Sequence, residues 1–126
     1  TYELIDKLAK TTGEIAFACF PEQKQLYHVW VSSFLKKNSE ELWEKVFGVI
    51  DVLENRYMFM RTLLRLDVSP RLSVYIWEEN VIPELNDCSL MVKRVSLRKK
   101  DGYIGILGGR RTDYAFNISA LKNLLW

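Results

Sequence analysis

Histidine and cysteine are scarce in this sequence, with one His and two Cys among 126 residues. A single His excludes a metal site built from several histidines, and the spacing of Cys19 and Cys88 fits no zinc motif. Two cysteines are also too few for the disulfide framework of a small secreted domain. Each lies in an apolar stretch, so we expect two packed, reduced thiols and a cytoplasmic location.

Long apolar runs are lacking as well, since none approaches the roughly 20 residues that a membrane-spanning helix needs. We therefore expect no membrane partner. The first residue is Thr1 and no leader precedes it, so we expect a piece of a longer protein. The chain is 48% hydrophobic, with four Trp, six Tyr and six Phe. That composition excludes a disordered tail and predicts one folded domain over residues 1–126.

The net charge is only +2, but the charges are distributed unevenly. Residues 1–38 carry +1, residues 39–87 carry −5, and residues 88–126 carry +6. The basic C-terminal third indicates either an anionic partner or a solvated face opposite an acidic helix.

Apolar periodicity predicts an α+β domain with one mostly antiparallel sheet of about five strands, covered by helices. Asn38, followed by Glu41, is the expected start of the long central helix, and Thr112 or Asp113 is the expected cap of the last helix. Polar residues 22–25 predict the first hairpin turn, and Asp101-Gly102 predicts the second. The predicted elements begin with a helix over 1–11 and strands at 15–20 and 26–31. A helix from residue 38, continuous or broken near Asn55, follows and ends before Pro70. Strands at 72–77, 90–97 and 103–107 and a helix over 114–125 complete the chain.

No set of residues for catalysis stands out. His28 lies in a strand-like stretch beside Tyr27 and Trp30, which favours packing at the rim of the core. Glu78 and Glu79 are adjacent at a strand end, so their side chains diverge, whereas paired-carboxylate catalysis needs them to converge. We therefore expect no enzyme activity, no metal and no cofactor.

Four glycines are clustered near the C-terminus, at positions 102, 105, 108 and 109. Their spacing fits neither a dinucleotide-binding fingerprint nor a P-loop. Gly108-Gly109 precedes a predicted helix start, where free backbone amides can hold an anion. The favoured alternative is a strand that another backbone approaches closely, followed by a turn that glycine permits.

Seven basic residues crowd the final hairpin and its exit: Lys93, Arg94, Arg98, Lys99, Lys100, Arg110 and Arg111. Tyr103 is the only aromatic residue within this span, whereas RNA-binding sheets carry several stacking aromatics. A solvated hairpin is the favoured interpretation, and contact with an anion or a nucleic acid is the alternative.

Three stretches, taken in order, resemble a known family. They are Val74-Tyr-Ile-Trp-Glu-Glu-Asn80, Asp87-Cys-Ser-Leu90, and Gly102-Tyr-Ile-Gly-Ile-Leu-Gly108 running into Arg111-Thr-Asp113-Tyr114. This pattern is similar to the C-terminal part of HrcA, the heat-inducible transcription repressor family. Thr12-Gly13 and Ser33-Phe34-Leu35 also fit, so the resemblance covers nearly the whole chain. The motif residues are Glu78, Glu79, Asn80, Asp87, Cys88, Ser89, Gly105, Gly108, Arg111, Asp113 and Tyr114.

The resemblance implies a GAF-like regulatory domain of a dimeric repressor that controls chaperone genes with the help of the GroEL chaperonin. Operator DNA would be bound only through the family's winged-helix domain, which nothing in this chain matches. Asp113 and Tyr114 would be the cap and the core anchor of the last helix, and Arg111 a turn or partner contact. Gly109 and Thr112 occupy positions where the family usually has Pro and Met. A small-molecule-sensing GAF-like domain is the alternative.

Overall fold

The computed structural model describes residues 2–30, 34, 51, 53–66, 68–76, 88–109 and 112–125. The helices in this part of the chain are α1 (Tyr2–Thr12), α2 (Arg56–Arg65) and α3 (Tyr114–Leu125). The strands are β1 (Ile15–Phe20), β2 (Gln25–Val29), β3 (Ser73–Ile76), β4 (Cys88–Leu97) and β5 (Lys100–Gly109), with a 3₁₀ turn (Pro21–Gln23) between β1 and β2. The predicted helix start at Asn38 lies outside the described residues.

The strands form one sheet in the order β2-β1-β5-β4-β3, and every neighbouring pair is antiparallel. All six residues of β1 are buried. A strand covered on both faces has no solvent side, which explains the continuous apolar run from Ile15 to Phe20. The predicted α+β class, with a five-stranded antiparallel sheet and helices, is confirmed.

Helices cover both faces of this sheet. On one face, the α2 face, Phe59 packs against Phe17 with ring centroids 5.0 Å apart in an edge-to-face arrangement. On the other, the two-helix face, α1 and α3 pack against a core that contains Ala16 and Ala18 of β1. Within the described residues, no helix has the length and apolar character needed to cross a membrane.

The predicted long helix is broken at Asn55. Residues 53 and 54 are helical, Asn55 is not, and α2 begins at Arg56. The Oδ1 atom of Asn55 accepts a hydrogen bond from the Met58 amide at 3.5 Å, which caps α2. Of the two alternatives for this segment, the broken helix is confirmed.

The predicted half-buried strand over residues 72–77 forms as β3, but its core-facing residue is an aromatic one. Tyr75 packs against the core of the α2 face, whereas Val74 is 40% exposed. Trp77 lies outside the described residues.

The turn between β4 and β5 lies earlier than the sequence predicts. Leu97 pairs with Lys100, so the loop consists of Arg98 and Lys99, whose φ angles are 50° and 65°. Both residues adopt the left-handed conformation of a two-residue hairpin turn without being glycine. The prediction of a turn at residues 101–102 is therefore wrong, because both belong to β5.

Gly102 is required inside the strand for a different reason. A Cβ atom at this position would collide with the carbonyl oxygen of Cys19 and would lie 2.5 Å from a ring carbon of Phe20. The glycine thus permits close approach between β5 and β1, which a local turn motif does not predict.

We predict that Lys99→Gly stabilises the protein by about 0.5–1 kcal/mol. A left-handed backbone conformation raises the free energy of residues with a Cβ atom, and glycine removes that strain. Part of the gain is lost because glycine increases the conformational entropy of the unfolded chain. The free energy of unfolding in urea measures the gain. Lys99→Ala is the matched control, since it removes the same side chain and keeps the Cβ atom; an equal gain in both variants would contradict the strain argument.

Candidate functional site

Most of the motif residues that the structure describes lie at one end of the sheet, which we call the motif end, whereas Gly105 lies in the middle of β5. Here β4 begins with Cys88 and Ser89, β5 ends with Gly108 and Gly109, and β1 begins. The Ser89 hydroxyl donates a hydrogen bond to the Gly109 carbonyl at 3.0 Å, which ties β4 to the end of β5. The turns of both hairpins lie at the opposite end, the turn end.

A buried polar network occupies the motif end. The side chain of Glu14, directly before β1, is 1% exposed. Its Oε1 atom accepts a hydrogen bond from the Thr112 hydroxyl at 2.8 Å, and that hydroxyl accepts one from Asn117 Nδ2 at 2.7 Å. The network joins the start of β1 to α3. Because burying a carboxylate is costly unless it is hydrogen-bonded, Glu14 and its partners must assemble together.

The end of α1 places Glu14 in this network. Gly13 has a φ of 71°, and its amide donates to the Ala9 carbonyl at 2.9 Å, which ends the helix. The Thr12 hydroxyl donates to the Leu8 carbonyl at 2.7 Å and accepts from the Glu14 amide at 3.1 Å. These bonds fix the backbone where it leaves α1 and enters β1.

Two motif glycines are sites of close approach. A Cβ atom at Gly108 would overlap the Glu14 carboxylate, and one at Gly105 would collide with the Met91 carbonyl and lie 2.9 Å from the Val92 Cα atom. The predicted close approach of another backbone is therefore confirmed at Gly105, whereas at Gly108 the neighbouring group is the side chain of Glu14.

The cap of α3 is Asp113. Its Oδ1 atom accepts a hydrogen bond from the Phe116 amide at 3.0 Å, and its carbonyl accepts one from the Asn117 amide at 3.0 Å. Tyr114 is partly buried against the core of the two-helix face. Of the two predicted cap residues, Asp113 caps the helix, whereas Thr112 binds Glu14.

Several predicted site residues lie outside the part of the chain that the structure describes. They are Glu78, Glu79, Asn80, Asp87, Arg110 and Arg111.

The basic residues of the hairpin do not form one patch in the described structure. Lys93 and Arg94 are consecutive in β4, so their side chains point to opposite faces. Residues 98–100 lie at the turn end, about 30 Å along β5 from Gly109. Tyr103 is only 8% exposed, so its ring is not free to stack on a base.

A groove opens at the turn end, with a volume of about 310 Å³. Arg98 and Lys100 line it, and Lys99 does not. Two of the residues predicted as anion contacts thus share a concave surface. The lining residues are Tyr2, Phe20, Gln25, Tyr27, Leu97, Arg98 and Lys100.

Burial shifts the acidity of His28 and Cys19. Burial lowers the pKa of His28, and the charge of Glu54 acts in the opposite direction. Burial raises the pKa of Cys19 to about 12, so this thiol stays protonated at neutral pH. Cys19 and Cys88 are both buried, as predicted, and neither forms a disulfide. In the described ranges, no group of three or more His, Cys, Asp or Glu side chains is arranged to hold a metal ion.

Glu14 and Asn117 were not predicted from the sequence as members of the network. One signal for Glu14 was available, because an acid directly before a strand of six apolar residues is unusual. By alternation, position 14 shares a face with Ala16 and Ala18, which pack beneath the helices. No comparable signal exists for Thr112, whose partner is 98 residues away.

Comparisons with known proteins fit this fold. Residues 1–118 match the family model described as HrcA protein C terminal domain. A crystal structure at 2.2 Å, described as that of a hypothetical protein, aligns with a TM-score of 0.58 and 14% sequence identity. The alignment covers 79% of this chain and 30% of that chain, and it supports the fold alone. No curated protein matches the sequence.

The chain is therefore a domain of the transcription-repressor class. It belongs to the HrcA C-terminal domain family, as the family match over residues 1–118 shows. That family consists of heat-shock transcription repressors.

We predict that Thr112→Val lowers the free energy of unfolding by about 1–3 kcal/mol. The substitution keeps the side-chain shape but removes the hydroxyl that joins Glu14 to Asn117 in a buried site. Chemical denaturation measures the loss. Thr62→Val is the matched control, because the Thr62 hydroxyl donates to the Met58 carbonyl of its own helix at an exposed site. Equal losses in the two variants would show that the network is unimportant for stability.

Proposed function

We propose that residues 1–126 form a single GAF-like regulatory and assembly domain of a heat-shock repressor that controls chaperone genes in the cytoplasm. The family match over residues 1–118 carries this proposal. The layered arrangement supports the GAF-like part, because the sheet lies between α2 on one face and α1 with α3 on the other.

Operator DNA would be bound through a separate DNA-binding domain of the full-length protein. The separation of the described basic residues over both faces and along the hairpin supports this division of labour, since a DNA-binding surface needs its cations together. A protein that binds a palindromic operator has two-fold symmetry, so this domain would hold two copies together.

The outer side of α2 supports self-association. Tyr57 is 63% exposed and Leu64 is 56% exposed. They are seven residues apart, so both project from the same side of the helix, with Arg61 between them. Met58, which is 40% exposed, adds to the apolar area. Large apolar side chains at helical spacing on a surface are typical of a protein interface.

Dependence on the GroEL chaperonin would follow from marginal stability. A change of about 1–2 kcal/mol alters the population of unfolded chains several-fold, and a chaperonin then determines how much repressor is active. The buried carboxylate of Glu14 and the left-handed backbone of Arg98 and Lys99 support this part, because each of them costs stability.

Light scattering over a concentration series, with and without GroEL and ATP, tests the proposal. We expect a monomer that becomes a dimer as concentration rises, and a folded fraction that increases with the chaperonin. A monomer at every concentration would contradict the proposed dimerisation. A folded fraction that does not change with GroEL would contradict the proposed dependence on the chaperonin.

A pair of variants locates the interface. Leu64→Glu places a charge in the proposed α2 surface and is expected to abolish the dimer. Phe116→Glu is the matched control, because Phe116 is 51% exposed on α3 and a glutamate in the first turn of a helix is favourable. Loss of the dimer in the control alone would place the interface on the two-helix face.

A further inference from the structure

The groove at the turn end is built by three segments that are distant in sequence. Tyr2 comes from the first turn of α1, Phe20 from the end of β1, and Lys100 from the start of β5. Strand register explains why Phe20 and Lys100 share a face. Cys19 pairs with Tyr103, so Phe20 lies opposite Gly102, which is two residues from Lys100 in β5. Phe20 pairs with Gln25 and Leu97 pairs with Lys100, and directly paired residues project to the same side of a sheet.

The groove carries positive charge and no negative charge on its walls. Its lining includes Arg98 and Lys100 and lacks an acid. The acids nearest along the chain are Glu3, Glu22 and Asp101, and none of them lines the groove. Asp101 pairs with Ser96, one register position beyond the Leu97–Lys100 pair, and therefore points to the opposite face.

The Lys100 ammonium group is held in place without being neutralised. Its Nζ atom donates to Gln25 Oε1 at 3.5 Å and lies 6.0 Å from the centroid of the Phe20 ring. Both contacts are with uncharged groups, and an ammonium group has three donor hydrogens. Within the described part of the chain, no carboxylate lies within salt-bridge distance of Lys100. The group therefore retains capacity to bind an anion.

Aromatic surface stands beside these cations. Tyr2 is 61% exposed and Tyr27 is 38% exposed, whereas the Phe20 side chain is 3% exposed and closes the floor of the groove. Exposed aromatic rings next to a basic groove are the surface on which a planar ring stacks.

The backbone supports a role for the turn in the groove. Arg98 and Lys99 have positive φ angles, at positions where a two-residue hairpin turn favours Asn or Gly. Strained backbone at a ligand-facing position is often retained because the side chain is needed there. Arg98 lines the groove.

We propose that this groove binds a small aromatic anion with the size and chemistry of a nucleoside monophosphate. The planar ring would stack on Tyr2 and Tyr27, and the phosphate would bind Arg98 and Lys100. A volume of about 310 Å³ lies in the range of small-molecule sites. This inference goes beyond the proposed repressor function and does not depend on it, since the binding test uses this chain alone.

Amide NMR titration of the 126-residue chain with adenosine 5′-monophosphate tests the proposal. We expect saturable shifts at residues 20–27 and 97–100, with a dissociation constant below the millimolar range. Adenosine lacks the phosphate and inorganic phosphate lacks the ring, so each is expected to bind about tenfold more weakly. No saturable shift at these residues would overturn the proposal.

Three variants distinguish binding in the groove from non-specific electrostatic attraction to the basic turn. Lys100→Met and Arg98→Met each remove one phosphate contact and are expected to weaken binding by about fivefold to tenfold. Lys99→Met removes the same charge from the same turn without touching the groove, so its effect should stay below about twofold. Equal weakening by Lys99→Met and Lys100→Met would show non-specific attraction and overturn the proposal. So would a single-stranded oligonucleotide that binds more tightly and is weakened equally by all three variants.

Discussion

The buried carboxylate of Glu14 constrains both ends of the described chain. Glu14 lies between the end of α1 and the start of β1. Its carboxylate accepts a hydrogen bond from Thr112, which precedes α3, and leaves no room for a side chain at Gly108. Removing a carboxylate from water costs several kcal/mol unless its bonds are replaced. The end of α1, the end of β5 and the start of α3 must therefore form together. The two-helix face depends on this polar junction as well as on apolar packing.

The two ends of the sheet differ in chemical character. At the motif end, polar groups such as Glu14 and Asn117 are buried and bonded within the protein. At the turn end, Arg98 and Lys100 face an open groove with aromatic walls. Of the motif residues that the structure describes, Cys88, Ser89, Gly105 and Gly108 are buried, whereas the open groove lies at the far end of the hairpin.

Local signals were sufficient for much of the fold. Gly13 ends α1 with the positive φ that glycine tolerates, and Asp113 caps α3 through its own side chain. The continuous apolar run of β1 reflects burial on both faces. The prediction of a turn at Asp101-Gly102 was wrong because Gly102 is needed for a tertiary contact. It allows the Cys19 carbonyl to approach β5 closely, and no local sequence pattern encodes that contact.

The candidate sites were less predictable than the fold. The motif residues could be found in the sequence, but the bond between Glu14 and Thr112 spans 98 positions and has no local signature. Adjacency in sequence was also misleading for the basic residues, because alternation along β4 sends Lys93 and Arg94 to opposite faces. The groove could not be predicted from the sequence either, because three segments that are distant in sequence build it.

A double-mutant cycle between Gly108→Ala and Glu14→Ala tests the central claim most directly. In the otherwise unaltered protein, Gly108→Ala must displace the carboxylate from Thr112, and we expect a loss of about 2 kcal/mol in the free energy of unfolding. In the Glu14→Ala background the added methyl group meets vacated space, and the loss should fall below about 0.5 kcal/mol. Equal losses in the two backgrounds would show that Glu14 does not determine the need for glycine at position 108, and would contradict the account.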